Sequence, residues 1–185
     1  MTLVLPIHGR TPRIDPRAFV APRATVIGDV DIGADASIWY NVVLRGDVNR
    51  ITVGARTNIQ DGSVIHVDSP KDGDAGLPTI IGEDVLIGHL VMLHGSVLHD
   101  RAFVGLGSIV MDGCTIESDG MLGAGAMLTP AKVIRARELW LGRPAKFLRM
   151  LNDAEVAGNR QGVAHYVELA RRHAAALAQA SVSAG

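Results

Sequence analysis

From Ile14 to Leu44 the chain reads IDPRAFVAPRATVIGDVDIGADASIWYNVVL. A large aliphatic residue recurs at every sixth position of this stretch, and a small residue or a valine stands four positions after each one. A period of six matches neither the 3.6-residue turn of an α-helix nor the simple alternation of a half-buried strand. It predicts short strands joined by two-residue corners, with one large and one small side chain pointing inward from each strand. The large positions are Ile14, Val20, Val26, Ile32, Ile38 and Leu44.

The same period continues far beyond Leu44. Its later large positions are Val53, Ile59, Ile65, Ile81, Ile87, Leu98, Val104, Val110, Ile116, Leu122 and Leu128. The pattern resembles the hexapeptide-repeat family, whose fold is a left-handed parallel β-helix and whose members form homotrimers. The resemblance implies an all-β, left-handed parallel β-helix of about six coils over residues 14–141, stacked as repeat units. Residues 1–13 are then an N-terminal segment.

Residues 142–185 are predicted to contain an exit turn, a C-terminal α-helix and a short tail. The turn is indicated by Gly142 and Pro144 in the sequence LGRPAK. Between Asp153 and Gln179, apolar residues recur mostly at helical spacing, which predicts a helix packed along the prism.

Two insertions interrupt the repeat. About three extra residues lie between Leu44 and Val53, where the chain reads RGDVNR. The second insertion, DSPKDGDAGLP at residues 68–78, is polar and rich in turn residues. It is therefore predicted to be a protruding loop.

Composition and charge narrow the class of protein. A chain of 185 residues with a net charge of −1 has no basic patch for nucleic acid or for an anionic membrane. The single cysteine, Cys114, excludes an internal disulfide and fits a reducing compartment. The N-terminal residues have no signal-peptide pattern, and no apolar run is long enough to span a bilayer. We therefore expect a cytoplasmic protein without nucleic-acid or membrane partners.

Three of the seven histidines stand at positions that the repeat relates to one another. His66 and His94 each follow a large position, Ile65 and Leu93, that is one coil apart once the loop is subtracted. They are predicted to stack on one face, about 4.8 Å apart, which is close enough to bind one metal ion. His89 falls near a corner on the preceding face, so it reaches such a metal most economically from a neighbouring subunit.

This arrangement predicts three histidine ligands and one open position at each subunit interface. That is the pattern of catalytic zinc, whereas structural zinc sites are closed by four protein ligands. Iron or cobalt can occupy the same set, because nitrogen ligands alone discriminate poorly between these metals.

With these residues the sequence resembles a γ-class carbonic anhydrase, and the resemblance covers nearly the whole chain. It is carried by RGD at residues 45–47, NIQDG at residues 58–62 and IGHLVMLHG at residues 87–95. The resemblance implies that His66, His89 and His94 bind the metal, with His89 supplied across the interface.

The same resemblance implies roles for five other residues. Gln60 would hydrogen-bond the metal-bound solvent, and Arg45 and Asp47 would form an interfacial ion pair beside the site. Asp61 would extend that polar network. Tyr166 matches a tyrosine that bacterial relatives place near the metal.

The expected activity is the reversible hydration of carbon dioxide to bicarbonate by a metal-bound hydroxide. Zinc lowers the pKa of its bound water to about 7 in a three-histidine site. One alternative is a hexapeptide acyltransferase or a thioesterase acting on an acyl-CoA. Another is a weakly active or inactive metal-binding trimeric scaffold. The scaffold alternative is favoured by Val48 and by the 68–78 loop, because the archaeal prototype has proton-transferring glutamates at these two places.

Overall fold

The six-residue repeat forms short parallel strands that stack into a prism, as the computed structural model shows. The structure describes residues 1–183, with side chains through residue 180. The short tail predicted at the C-terminus lies outside the described residues beyond Ser183. One sheet has eight strands and the other has twelve. Apart from one antiparallel hairpin at the C-terminal end of the prism, all strand pairings among the described residues are parallel, as the repeat requires.

The eight-stranded sheet makes one face of the prism, which we call the helix face. Its strands are β3 (Phe19–Val20), β5 (Ser37–Ile38), β7 (Asn58–Ile59), β10 (Leu86–Ile87), β13 (Phe103–Val104), β16 (Met121–Leu122), β19 (Glu138–Gly142) and β20 (Ala145–Met150).

The twelve-stranded sheet wraps around the other two faces, because β4 and β6 are long enough to turn a corner and contribute to both. One of these two, the histidine face, contains β1 (Leu3–Leu5), the first halves of β4 (Thr25–Ile32) and β6 (Val43–Val53), β8 (Val64–His66), β11 (Met92–His94), β14 (Ile109–Val110) and β17 (Met127–Leu128). The third face contains β2 (Arg13–Ile14), the second halves of β4 and β6, β9 (Thr79–Ile81), β12 (Val97–Leu98), β15 (Thr115–Ile116) and β18 (Val133–Ile134).

The interior of the prism is filled by the repeat positions. Ile38, Ile59 and Ile87 stack beneath one another on the helix face, and each is fully buried. Cys114 occupies one of the small inward positions, and burial raises the pKa of its thiol. The predicted parallel β-helix is therefore confirmed. Across the described residues each face stacks at least seven parallel strands, slightly more than the six coils expected.

The first insertion is a bulge inside β6. β4 and β6 pair at Gly28 and Gly46, and pair again at Val30 and Ile51. One residue of β4 therefore faces four residues of β6, which accounts for the three extra residues. The bulge contains Asp47, so the insertion displaces this carboxylate from the regular strand.

The second insertion is anchored to the bulge. Asn49 Nδ2 donates hydrogen bonds to the carbonyl oxygens of Asp68, at 3.1 Å, and Ala75, at 3.0 Å. Residues 68–78 contain no strand, in agreement with the predicted loop. This anchor holds the loop beside the histidine face.

Both ends of the prism differ from the predicted boundaries. In the segment 1–13, β1 pairs in parallel with β4, so the histidine face begins before residue 14. At the other end, a turn occurs at residues 143–144, within the predicted exit turn, but it joins two strands that were not predicted. Residues Glu138–Gly142 and Ala145–Met150 form an antiparallel hairpin, and Leu139 and Leu151 pack with Val156 in a small second core. That apolar cluster explains why the chain folds back before the helix.

The C-terminal helix, α1, spans Asp153–Ser183 and packs on the helix face against β3, β5, β7 and β10. Asn152 and Glu155 form a reciprocal capping box, with both hydrogen bonds at 2.9 Å. Val156, Val163 and Ala170 supply its buried stripe. Through residue 183, no helix combines the length and the apolar character needed to cross a bilayer.

Candidate metal centre

His66 and His94 are direct neighbours on the histidine face. β8 and β11 pair with His66 opposite His94, so the predicted register is confirmed. The two ring centroids are 5.0 Å apart, and His66 Nδ1 lies 3.0 Å from His94 Nε2. Both rings are partly buried.

A carboxylate backs each of these rings on its other nitrogen. His66 Nε2 lies 3.1 Å from Asp47 Oδ1, and His94 Nδ1 lies 2.5 Å from Asp112 Oδ1. An ionised carboxylate only accepts hydrogen bonds, so the nitrogen facing it carries the proton in each ring. In neutral rings, His66 Nδ1 and His94 Nε2 are then both unprotonated.

Two lone pairs then face each other across 3.0 Å, an arrangement that a cation bound between them stabilises. Nitrogens bound to one tetrahedral zinc at 2.0–2.1 Å are about 3.3–3.4 Å apart, so a small opening of the pair admits the ion. The donor set also has the carboxylate–histidine pattern that orients metal ligands in proteins. These residues fit a divalent metal.

The local electrostatics keep His66 neutral. Burial lowers the pKa of His66, and the Arg45 guanidinium lowers it further, against the opposing effect of Asp47. A neutral ring is the form that binds a metal. Burial alone would raise the pKa of Asp47, but hydrogen bonds from Arg45 and His66 hold it below its usual value.

Arg45 and Asp47 form the ion pair that the resemblance implies. Arg45 Nη1 lies 2.7 Å from Asp47 Oδ2, while the other oxygen of the same carboxylate faces His66. Asp47 therefore connects the Arg45 guanidinium to the His66 ring within one chain.

His89 belongs to a separate cluster. Its Nδ1 lies 3.0 Å from Asp61 Oδ2, which leaves Nε2 for another partner, and its side chain is 49% exposed. Among the described residues of a single chain, no group of three or more histidine, cysteine or acidic side chains is arranged to hold a metal. One chain thus brings together His66 and His94 but does not bring His89 to them.

Gln60 lies in a buried polar chain on the helix face. It is 5% exposed, and its Nε2 donates to Asn58 Oδ1 at 3.0 Å. Asn58 Nδ2 donates in turn to Ser37 Oγ at 2.9 Å, and Trp39 Nε1 donates to the same oxygen at 3.2 Å. The chain of donors fixes the Gln60 amide with its Oε1 available as an acceptor.

Tyr166 approaches this region from the helix. Its ring packs edge-on against Trp39, with the centroids 5.8 Å apart. Burial raises the pKa of Tyr166, and the nearby Asp61 carboxylate adds to the shift. The phenol therefore stays protonated at neutral pH and lies within the electrostatic reach of the His89–Asp61 pair.

Three residues around the candidate site were missed by sequence reasoning. Asp112 follows His94 by 18 residues, one more than the 17 that separate paired residues of β11 and β14, and this near-match to the coil spacing was the available signal. Asn58 and Ser37 occupy matching positions on neighbouring strands of the helix face. Their polar side chains at otherwise apolar strand positions were a weaker signal.

The parallel β-helix built from six-residue repeats defines a class, the hexapeptide-repeat proteins. The chain is 47% identical over 169 residues to gamma carbonic anhydrase 1, mitochondrial, from Arabidopsis thaliana, covering 91% of this chain and 62% of that protein. It is 38% identical over 166 residues to a carbonic anhydrase from Geobacillus kaustophilus, covering 90% of this chain and 88% of that protein. A comparison with protein-family models gave no match.

A solved structure agrees with these sequence relationships. The hexapeptide transferase family protein from Anaplasma phagocytophilum has a TM-score of 0.85 and 46% identity, covering 91% of this chain and 96% of that chain. The chain belongs to the γ-carbonic-anhydrase-like family of hexapeptide-repeat proteins, which also accounts for the left-handed coil. It spans about three-fifths of the length of its plant relatives.

Proposed function

We propose that this protein is a metal-dependent carbonic anhydrase, which converts carbon dioxide and water into bicarbonate and a proton, reversibly, at the interfaces of a homotrimer. The proposal is carried by the facing nitrogens of His66 and His94, each ring being backed by a carboxylate. Family membership supports it, because relatives of high identity bear the name carbonic anhydrase.

The third ligand is His89 of a neighbouring protomer. His66 and His94 lie on the histidine face, whereas His89 lies elsewhere on the surface beside Asp61. A metal shared between protomers therefore requires a head-to-tail contact, in which two different surfaces meet. Such a contact closes into a ring when the rotation fits, and a ring of three gives three equivalent sites. Each site then has three protein nitrogens and one open position, the arrangement of catalytic zinc.

Exposed apolar side chains flank both half-sites. Leu90, next to His89, is 71% exposed, and Leu106, on the adjoining coil, is 59% exposed. Met92, two residues before His94 on the same strand, and Val48, next to Asp47, are also exposed. Apolar surface of this kind marks a protein interface, which supports burial of both half-sites against each other.

The chain's own residues hold and orient the reactants. Histidine nitrogens bind the ion, and a bound divalent metal supplies a nucleophilic hydroxide near neutral pH. Gln60 Oε1 accepts a hydrogen bond from the attacking solvent and orients its lone pair towards carbon dioxide. The protonated Tyr166 hydroxyl donates a hydrogen bond to a substrate oxygen. The charged side chains of Arg45 and Asp61 determine the electrostatic potential around the metal centre.

Zinc is the metal that we propose, with iron or cobalt as alternatives because the ligands are all imidazoles. The test is elemental analysis of the purified protein together with its mass in solution. We expect about one metal ion per chain in a trimer, in keeping with the three-ligand pattern. His89→Ala should lose the metal and the carbon dioxide hydration activity, whereas His99→Ala, an exposed histidine outside the site, should retain both. A wild-type protein that stays metal-free after metal is supplied contradicts the proposal.

A second candidate function is acyl transfer. It is favoured by the transferase name of the solved relative from Anaplasma phagocytophilum. That chemistry needs a histidine as general base and an acyl-CoA, but it gives no reason for three carboxylate-backed histidines. Binding of acetyl-CoA by the metal-free protein would favour it, and metal-dependent hydrolysis of a thioester would favour a thioesterase. A trimer that holds metal without turning over carbon dioxide would be a scaffold.

A further inference from the structure

Asp112 is the carboxylate that the resemblance to carbonic anhydrases does not explain. It lies one coil beyond Gly95, the residue that follows His94, and its Oδ1 is 2.5 Å from His94 Nδ1. The Asp112 carbonyl accepts a hydrogen bond from Ala131 N at 2.9 Å, and Gly113 N donates to Gly95 O at 2.8 Å. These backbone contacts hold the Asp112 corner directly over the residue that follows His94.

Gly95 makes room for this carboxylate. A Cβ atom on Gly95 would lie 2.5 Å from Asp112 Oδ1 and 3.0 Å from Leu77 Cβ. Gly95 also has a φ of +47°, in the left-handed region that favours glycine. Any side chain at position 95 would therefore push the carboxylate away from His94. This steric exclusion explains why the last residue of the IGHLVMLHG motif is a glycine.

We propose that Asp112, admitted by Gly95, is a positioning residue for the metal ligand His94. The inference rests on the metal centre proposed above. By accepting a hydrogen bond from Nδ1–H, Asp112 selects one tautomer of the ring and leaves Nε2 unprotonated. The same hydrogen bond fixes the ring plane, so that Nε2 points at His66 Nδ1.

The hydrogen bond between Asp112 and His94 affects metal binding because it determines which nitrogen of His94 carries the proton. A neutral imidazole in water favours the proton on Nε2, which would block the nitrogen that faces His66. Carboxylate partners of this kind orient ligating histidines and raise their basicity, and their loss weakens metal binding by about 10- to 100-fold. Asp112 itself is 44% exposed, so the contact's value lies in positioning rather than in charge pairing at the surface.

The test compares four variants of the full-length protein for zinc affinity, measured against a chromophoric chelator. Asp112→Ala removes the acceptor, and we expect a loss of about 10- to 100-fold in affinity. Asp112→Asn keeps an acceptor oxygen and should restore part of that loss. Gly95→Ala should resemble Asp112→Ala. Gly125→Ala is the matched control, because Gly125 has a φ of +68° but open space around its Cβ position.

A second measurement separates this inference from the proposed function. Nitrogen NMR of the metal-free protein reports which nitrogen of His94 carries the proton. We expect the Nδ1–H tautomer in the wild type and a shift towards Nε2–H in Asp112→Ala. If the wild type binds no zinc, the proposed function fails, and the tautomer comparison still decides the role of Asp112. An unchanged tautomer together with an unchanged affinity in Asp112→Ala overturns the inference, as does an Asp112→Asn variant no better than Asp112→Ala.

Discussion

The hydroxyl of Tyr40 lies 2.9 Å from Nδ1 of His173, and this contact joins the prism to the helix across 133 residues of sequence. His173 also packs edge-on against Trp39, with the ring centroids 4.9 Å apart, and against Phe19 at 6.3 Å. The helix is therefore attached to the same aromatic cluster that supports Tyr166 and the Ser37 end of the Gln60 chain.

Removing the Tyr40 hydroxyl should loosen this attachment. We expect Tyr40→Phe to lower the free energy of unfolding by about 1 kcal/mol, the usual contribution of a partly buried hydrogen bond. Denaturant unfolding followed by circular dichroism measures the change. Arg172→Gln, which breaks only the exposed pair with Glu168, should change stability by less than about 0.5 kcal/mol. Equal effects of the two variants would contradict the role assigned to Tyr40.

Asn58 should affect the activity because it holds the side-chain amide of Gln60 in place. In Asn58→Ala, Gln60 Nε2 loses its acceptor and the amide loses its fixed orientation. We expect kcat/KM for carbon dioxide hydration to fall about tenfold, which corresponds to about 1.4 kcal/mol, with the metal content unchanged. Asn159→Ala on the helix is the control. Loss of the metal in Asn58→Ala would instead indicate a general collapse of the site.

The core residue Ile59 should contribute strongly to stability. It is fully buried and stacked between Ile38 and Ile87. We expect Ile59→Ala to cost about 2–5 kcal/mol, because the neighbouring coils cannot close the cavity. Val133→Ala, at a position that is 41% exposed, should stay within about 0.5 kcal/mol of the wild type. Thermal unfolding of both variants is the measurement, and similar unfolding temperatures would be unexpected.

Two helix glycines should respond differently to the same substitution. A Cβ atom on Gly158 meets nothing within 4 Å, whereas one on Gly162 would lie 3.2 Å from Leu86 Cδ1. Gly158→Ala should stabilise the protein by about 0.5–1 kcal/mol through helix propensity alone. Gly162→Ala should gain less, because Leu86 must move. Unfolding free energies of the two variants test this, and a larger gain at Gly162 would be the contrary result.

The stability contributed by the first turn of α1 should depend on pH through the ionisation of Glu155. Hydrogen bonds from Arg149 and from the Asn152 backbone lower the pKa of Glu155 to about 2. Because the folded-state pKa is below the unfolded value, the contribution is fully present above about pH 4.5 and is lost as the pH falls towards 2. Unfolding midpoints of wild type and Glu155→Gln should therefore differ at pH 7 and converge near pH 2. A constant difference across this range would exclude the ionised form as the cause.

The six-residue repeat predicts both the buried core and the pairing of His66 with His94, and it does so for one physical reason. In a solenoid, residues one coil apart are neighbours, so the period that buries Ile65 and Leu93 also brings His66 and His94 together. The metal-ligand and site roles stay predictions, because a single chain holds the two clusters apart.

The repeat does not predict the Asp112 contact or the C-terminal hairpin, because both depend on local side-chain packing rather than on the spacing of residues along the chain. Asp112 lies one residue past the coil spacing from His94, and its contact with His94 depends on Gly95 having no Cβ atom. The sequence predicts the turn of the C-terminal hairpin but not its second strand, because β20 shows no alternating burial and exposes Phe147 and Leu148. Its cause is the small Leu139–Leu151–Val156 core, which lies outside the repeat.

The bulge in β6 shows how a periodic fold acquires chemistry. Between Gly46 and Ile51 the strand takes up its extra residues, yet pairing with β4 resumes at Val30, and the coils on either side keep their register. The disturbance is confined because each coil contacts only its neighbours. Such a scaffold tolerates local editing: a change in the length of one corner can move an acidic group towards or away from a neighbouring rung. New reactivity can then evolve at one level of the stack without the rest of the molecule having to refold.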